Sequence, residues 1–130
     1  MPPAAEALTV VLVEDDVDLA EVSRLDLVQE GFVVHVAHDG KAALELIARV
    51  APDVVITDLV MPVMDGLELI QQLSGRPGPR IPVIAVSAIG RRLHAARELG
   101  ADEALVKPVH PQELAATARK IWRKASGRAG

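Results

Sequence analysis

"VVITDLVMPVMDG", residues 54–66, runs apolar and β-branched from Val54 to Ile56 and then sets a carboxylate, Asp58, where a buried strand should end. A run this short and this rich in Val and Ile reads as a strand covered on both faces, because a helix would need more length and a polar side. The Asp-Gly that closes the stretch suits a helix start, with Asp65 as its cap. The placing of Asp58 matters because open parallel sheets bind ligands just outside the carboxyl ends of their strands.

Four more stretches share this character: residues 8–13 (LTVVLV), 32–37 (FVVHVA), 82–87 (PVIAVS) and 103–107 (EALVK). Between them lie segments with helix signals. Leu19, Val22, Leu25 and Val28 recur every three residues and stop at Gly31; Ala43, Leu44 and Ile47 follow a cap at Asp39; Leu67, Ile70 and Leu73 follow Asp65. Leu93, Ala96 and Leu99 close at Gly100, and Leu114, Ala118, Ile121 and Trp122 are entered through Pro111. This strict alternation predicts an α/β fold in three layers, since right-handed crossovers lay helices on both faces of a parallel sheet. One domain is expected over residues 8–124, with short tails at 1–7 and 125–130.

Composition narrows the function. A chain of 130 residues can bury one core, and its makeup, half apolar and a quarter charged, is that of an ordinary globular domain. A net charge of −4 argues against direct nucleic-acid binding, and the lack of cysteine removes thiolate metal sites, disulfides and cysteine nucleophiles. No basic and apolar leader opens the sequence and no run of about 18 apolar residues occurs, so neither export nor membrane insertion is indicated and the cytoplasm is the expected compartment. His35, His38, His94 and His110 lack metal-ligand spacing and read as surface or capping residues.

In a sheet ordered 2-1-3-4-5, three other strand ends would share an edge with Asp58, and each carries polar groups: Glu14, Asp15 and Asp16 after the first strand, Ser87 ending the fourth, Lys107 ending the fifth. Carboxylates gathered so closely repel, and one would take up a proton unless a cation neutralised them. Oxygen ligands without nearby His or Cys suit Mg²⁺ or Mn²⁺, and Mg²⁺ takes one or two carboxylates while keeping water and accepting a phosphate oxygen. A carboxylate oxygen then remains to attack phosphorus while metal and ammonium neutralise the phosphoryl oxygens, so Asp58 reads as a phosphoryl acceptor. Singly, each residue also has a plainer role: Asp16 and Asp65 as helix caps, Ser87 as a turn hydroxyl, Lys107 as a solvated surface lysine. The coincidence of four strand ends favours the site.

In their order, "VLVEDD" (11–16), "DVVITDLVMPVMDG" (53–66), "VIAVSA" (83–88) and "GADEALVKP" (100–108) resemble the receiver domain of bacterial two-component response regulators, over essentially the whole chain from Thr9 to Trp122. The resemblance implies a flavodoxin-like (βα)5 fold, a phosphoryl group donated to Asp58 by a histidine kinase or a histidine phosphotransfer protein, and signalling by a change of conformation. It implies no enzyme activity beyond the module's own phosphorylation and dephosphorylation. By position it assigns Mg²⁺ to Asp16, Asp58 and the backbone carbonyl of Val60, with Asp15 acting through a metal-bound water. It also assigns a phosphoryl hydrogen bond to Ser87, an ion pair to Lys107 and a cis Lys107–Pro108 bond, and it directs output to a downstream protein through the face of the fourth helix, fifth strand and fifth helix.

Three departures qualify the expectation. Ala104 stands where the family commonly has Tyr or Phe, so an aromatic relay is not available; the segment from Ser87 to Lys107 is shorter than usual; and apolar Val60 and Ile89 beside the site imply slow self-dephosphorylation. The alternative is a receiver-like interaction module that is not phosphorylated. A phosphatase would want a second acid at Val60, and the acids after the first strand would repel a flavin phosphate.

Overall fold

The structure, a computed structural model, describes residues 7–127, so most of the two expected tails lies outside the described residues. The chain alternates as expected: β1 (Thr9–Val13), α1 (Val17–Gln29), β2 (Val33–Ala37), α2 (Gly40–Val50), β3 (Val54–Asp58), α3 (Gly66–Gly75), β4 (Val83–Ser87), α4 (Gly90–Glu98), β5 (Glu103–Val106) and α5 (Pro111–Ala125). The last helix thus takes in Ala125, which the sequence reading had left to the tail. All strand pairs are parallel in the order β2-β1-β3-β4-β5, which is the flavodoxin-like arrangement. Among the described residues no helix is long and apolar enough to cross a membrane.

The central strands β1, β3 and β4 are dominated by apolar residues because both their faces are buried. Val11, Val13, Val55 and Ala85 join one core cluster with residues of α2, α3 and α4. Val10, Leu12, Val54 and Ile56 join the other, which includes Leu27, Phe32 and the α5 residues Ala115, Ala118 and Ile121. Trp122 packs at the margin of this second cluster, the packing role expected of it. Arg119 ties α5 to the end of α1: its guanidinium donates to the Glu30 carbonyl at 2.7 Å and lies 4.3 Å from the centre of the Phe32 ring.

Three helices begin on aspartates. Asp16 accepts from Leu19 N at 3.0 Å, Asp39 from Ala42 N at 2.8 Å and Asp65 from Glu68 N at 3.0 Å, each supplying a partner to an amide of the first turn. His110 caps α5, its Nδ1 accepting from Gln112 N at 3.3 Å ahead of Pro111.

In α1 the structure departs from what the sequence pattern suggests. The helix forms where the three-residue recurrence predicts, yet that recurrence is not its buried face. Leu19, Val22, Leu25 and Val28 are exposed, together with Val17, while Ala20 and Leu27 point inward. Steps of three fall short of a full helical turn, so such a stripe drifts around the cylinder and cannot stay against a flat sheet.

Close approach of backbone decides one position in the fold. A Cβ added at Gly66 would collide with the Asp58 carbonyl oxygen and lie 2.8 Å from Leu59 Cα, so only glycine lets α3 start hard against the end of β3. Gly66→Ala is expected to lower stability by about 1–3 kcal/mol, the cost of forcing backbone apart. Gly75→Ala, where no neighbour lies within 4 Å of the new carbon, should leave it unchanged or slightly higher. Chemical denaturation of the two variants measures the difference.

Candidate functional site

The register of the sheet brings the four polar strand ends level. Val13 pairs with Thr57, Asp58 with Val86 and Ser87 with Val106, so Glu14, Asp58, Ser87 and Lys107 follow one another across the carboxyl edge. Two hydrogen bonds extend the ladders past the strands: Lys107 N donates to Ser87 O at 3.0 Å and Glu14 N to Ala37 O at 3.0 Å. The Lys107–Pro108 peptide bond is cis, as the resemblance implies.

Lys107 stands between two acids. Its ammonium is 3.3 Å from Glu14 Oε1 and 3.4 Å from Asp58 Oδ1. Asp58 Oδ1 also accepts from Leu59 N at 2.9 Å, which leaves Oδ2 as the oxygen these contacts do not engage. Ser87 is buried, and its hydroxyl accepts from Ile89 N at 3.1 Å, so in this state it fills the plainer role of a turn hydroxyl while lying on the same edge as Asp58.

The acids that face Asp58 are not the expected pair. Carboxylate oxygens of Glu14, Asp15 and Asp58 lie within 4.8 Å of one another, and Asp16 is outside that group. The carboxylate of Asp16 is taken up by the Leu19 amide, the capping role that its sequence position also allowed. Glu14 comes in because β1 pairing runs one residue past Val13, and because its longer side chain reaches back to accept from Asp16 N at 3.1 Å and to meet Lys107. A usable signal was present in the sequence. An Asp directly before the first helical residue is a preferred cap, which leaves the two preceding acids to face Asp58. Val60, assigned a metal ligand through its carbonyl, is exposed on the loop leaving β3.

Burial pushes the Glu14 carboxyl above the ordinary carboxylate range; the Asp16 amide and the Lys107 charge act against this, and the Asp58 charge adds to it. For Lys107 burial works against the ammonium, but the charges of Asp58 and Glu14 outweigh it and hold its pKa above the ordinary lysine value. A site with three carboxylates and one ammonium carries an excess of negative charge that would favour a cation. Its donors are all carboxylate oxygens, which fits a hard divalent ion such as Mg²⁺, and Glu14, Asp15 and Asp58 are the side chains that could hold it.

The chain is similar to known proteins in sequence and fold. The response regulator receiver domain model matches residues 10–119. Response regulator MprA of Mycobacterium tuberculosis is 36% identical over 121 residues, 91% of this chain and 52% of that protein, so the chain spans about half the length of such relatives. The signal receiver domain of a signal transduction histidine kinase from Syntrophus aciditrophicus is similar with a TM-score of 0.83 at 31% identity, over 95% of this chain and 96% of that one. The BeF3-activated receiver domain of RstA from Klebsiella pneumoniae follows at 0.81 and 29%, over 88% and 98%. With a family match across most of its length and an acid cluster beside a lysine on the carboxyl edge of a 2-1-3-4-5 sheet, this chain belongs to the response regulator receiver domains, the modules of two-component signalling.

Proposed function

We propose that this receiver domain accepts a phosphoryl group on Asp58 from a phosphohistidine of a histidine kinase or phosphotransfer protein, in a reaction that needs Mg²⁺. The observation that carries the reading is the Lys107 ammonium 3.4 Å from Asp58, on the edge where Glu14 and Asp15 also gather. A carboxylate oxygen of Asp58 attacks phosphorus, the P–N bond to the donor imidazole breaks, and the departing ring takes up a proton. Glu14, Asp15 and Asp58, with the Val60 carbonyl, would hold the ion, which when bound neutralises charge on the phosphoryl oxygens. Lys107 pairs with another of those oxygens, and Ser87 donates its hydroxyl to one. RstA offers support, because beryllium fluoride has the shape and charge of a phosphoryl group and activates that receiver domain.

A phosphoryl group adds roughly −1.5 to −2 charge, enough to draw the Ser87 hydroxyl inward and bias one of two conformations. Ala104 lies half-buried in β5 and has no ring to follow that movement, so the loop between β4 and α4 carries the change itself. The face of α4, β5 and α5 serves as the output surface for a downstream protein; ion pairs of Arg97 and Lys120 with Glu103 and the exposed Val106 mark it. The module turns over no separate substrate.

Incubation with acetyl phosphate and Mg²⁺ should add the mass of one phosphoryl group to the intact protein and none to Asp58→Asn; an equal gain in both would remove Asp58 from this role. Val60 and Ile89 are exposed and apolar beside the acceptor and offer no group to orient an attacking water. The acyl phosphate should therefore outlast several minutes, and a lifetime of seconds would contradict this.

The raised Glu14 pKa gives a stability prediction. Its folded value lies above the ordinary 4.5, so the folded protein binds this proton more tightly than the unfolded chain does, and the cost of ionising it grows as pH rises from 4.5 through the folded value. Glu14→Gln should thus raise metal-free stability at pH 7. The advantage should vanish below pH 4.5, where the carboxyl is protonated in both states. Mg²⁺ should stabilise the parent protein and not the variant. Thermal melts with chelator or Mg²⁺ test all three statements.

A further inference from the structure

The strand β2 lies at the edge of the sheet and contributes no acid to the site, yet the chain at its end grips Glu14 from both sides. The carbonyl of Ala37, the last residue of β2, accepts from Glu14 N at 3.0 Å, and the Nδ1 of His38 stands 2.9 Å from the Glu14 carbonyl oxygen. A carbonyl oxygen only accepts, so Nδ1 carries the proton and donates. Both the neutral Nδ1–H tautomer and the doubly protonated ring have the proton this bond needs.

The Glu14 carbonyl and the Asp15 amide belong to one planar peptide unit, so a hydrogen bond to that oxygen sets the plane linking two of the three clustered acids. The imidazole itself is held on a fixed support. Asp39, the next residue, accepts from Ala42 N at 2.8 Å as the α2 cap, and Gly40 N donates to Met64 O at 3.0 Å. From the plane so fixed, the Glu14 side chain turns back to Asp16 N at 3.1 Å and to Lys107 at 3.3 Å. Ligands ordered before an ion arrives bind it more tightly, because less freedom is lost on binding.

We propose that His38 is a positioning residue for the acid loop, and that it raises affinity for the divalent cation without taking part in phosphoryl transfer. The proposal rests on the metal reading given above. His38→Ala should weaken Mg²⁺ binding roughly 5- to 10-fold, the scale of one lost hydrogen bond of this kind. His38→Asn, whose side-chain amide nitrogen can stand where Nδ1 stood, should stay within about twofold of the parent.

The test is calorimetric titration of Mg²⁺ into the full chain and both variants, with thermal melts in chelator and phosphorylation by acetyl phosphate at saturating Mg²⁺ alongside. The expected result is weaker binding in His38→Ala alone, melting points that do not track it, and equal phosphorylation once the metal is saturating. Equal affinity in all three proteins would overturn the role of His38 while leaving the metal site standing. Equal losses in both variants, matched by their loss of melting temperature, would reduce His38 to a structural residue. A parent protein that binds no divalent cation would overturn the metal reading and this proposal together.

Discussion

Lys107 stands 3.3 Å from Glu14 and 3.4 Å from Asp58, a single ammonium between two carboxylates, with the carboxylate of Asp15 also in the group. Negative charge exceeds positive at a partly desolvated edge of the sheet, and much of the surrounding structure follows from that imbalance. A hydrophobic or neutral edge would hold the strands together at lower electrostatic cost. The same imbalance makes the edge one that could hold a cation. Stability and chemistry pull in opposite directions here, as they do at many sites built from clustered charges.

The parallel sheet makes the imbalance possible. Residues from distant parts of the chain arrive at one edge because every strand points the same way and the register sets their ends level. Each βα loop then has two duties: it presents a polar group to the edge and starts a helix within a few residues. Aspartates at 16, 39 and 65 perform the second duty, which fixes how much loop is left for the first. Gly66 removes the last obstacle by letting α3 begin in contact with the main chain of Asp58 and Leu59.

The fold was legible because its signals are local. Short Val and Ile runs, aspartate caps and glycine stops are each written within a few residues, and the alternation they define leaves few topologies open. Asp58, Ser87 and Lys107 were legible as lone polar groups at the ends of apolar runs. Three features were less so. Three acids in succession at 14–16 do not say which side chains turn toward the site, and that choice depends on how far β1 pairing extends and where α1 begins. The outward face of α1 was misleading for a different reason: Val17, Leu19, Val22, Leu25 and Val28 satisfy a periodicity rule, while Ala20 and Leu27 pack inward against the sheet. The contact between His38 and Glu14 joins residues far apart in sequence through the pairing of β1 with β2, so no local pattern announces it.

The hydrogen bond from the Ile89 amide to the Ser87 hydroxyl bears on how readily the molecule changes state. Ile89 is the cap residue of α4 and has no side-chain hydrogen bond of its own, so that amide and the first turn of the helix are moored to a single oxygen. If an anion drew the Ser87 hydroxyl toward it, the Ile89 amide would follow, because that oxygen can donate to the anion and still accept from the amide. Because Ile89 is 41% exposed, little packing would oppose that movement. A single contact would thus couple the carboxyl edge of the sheet to the start of α4.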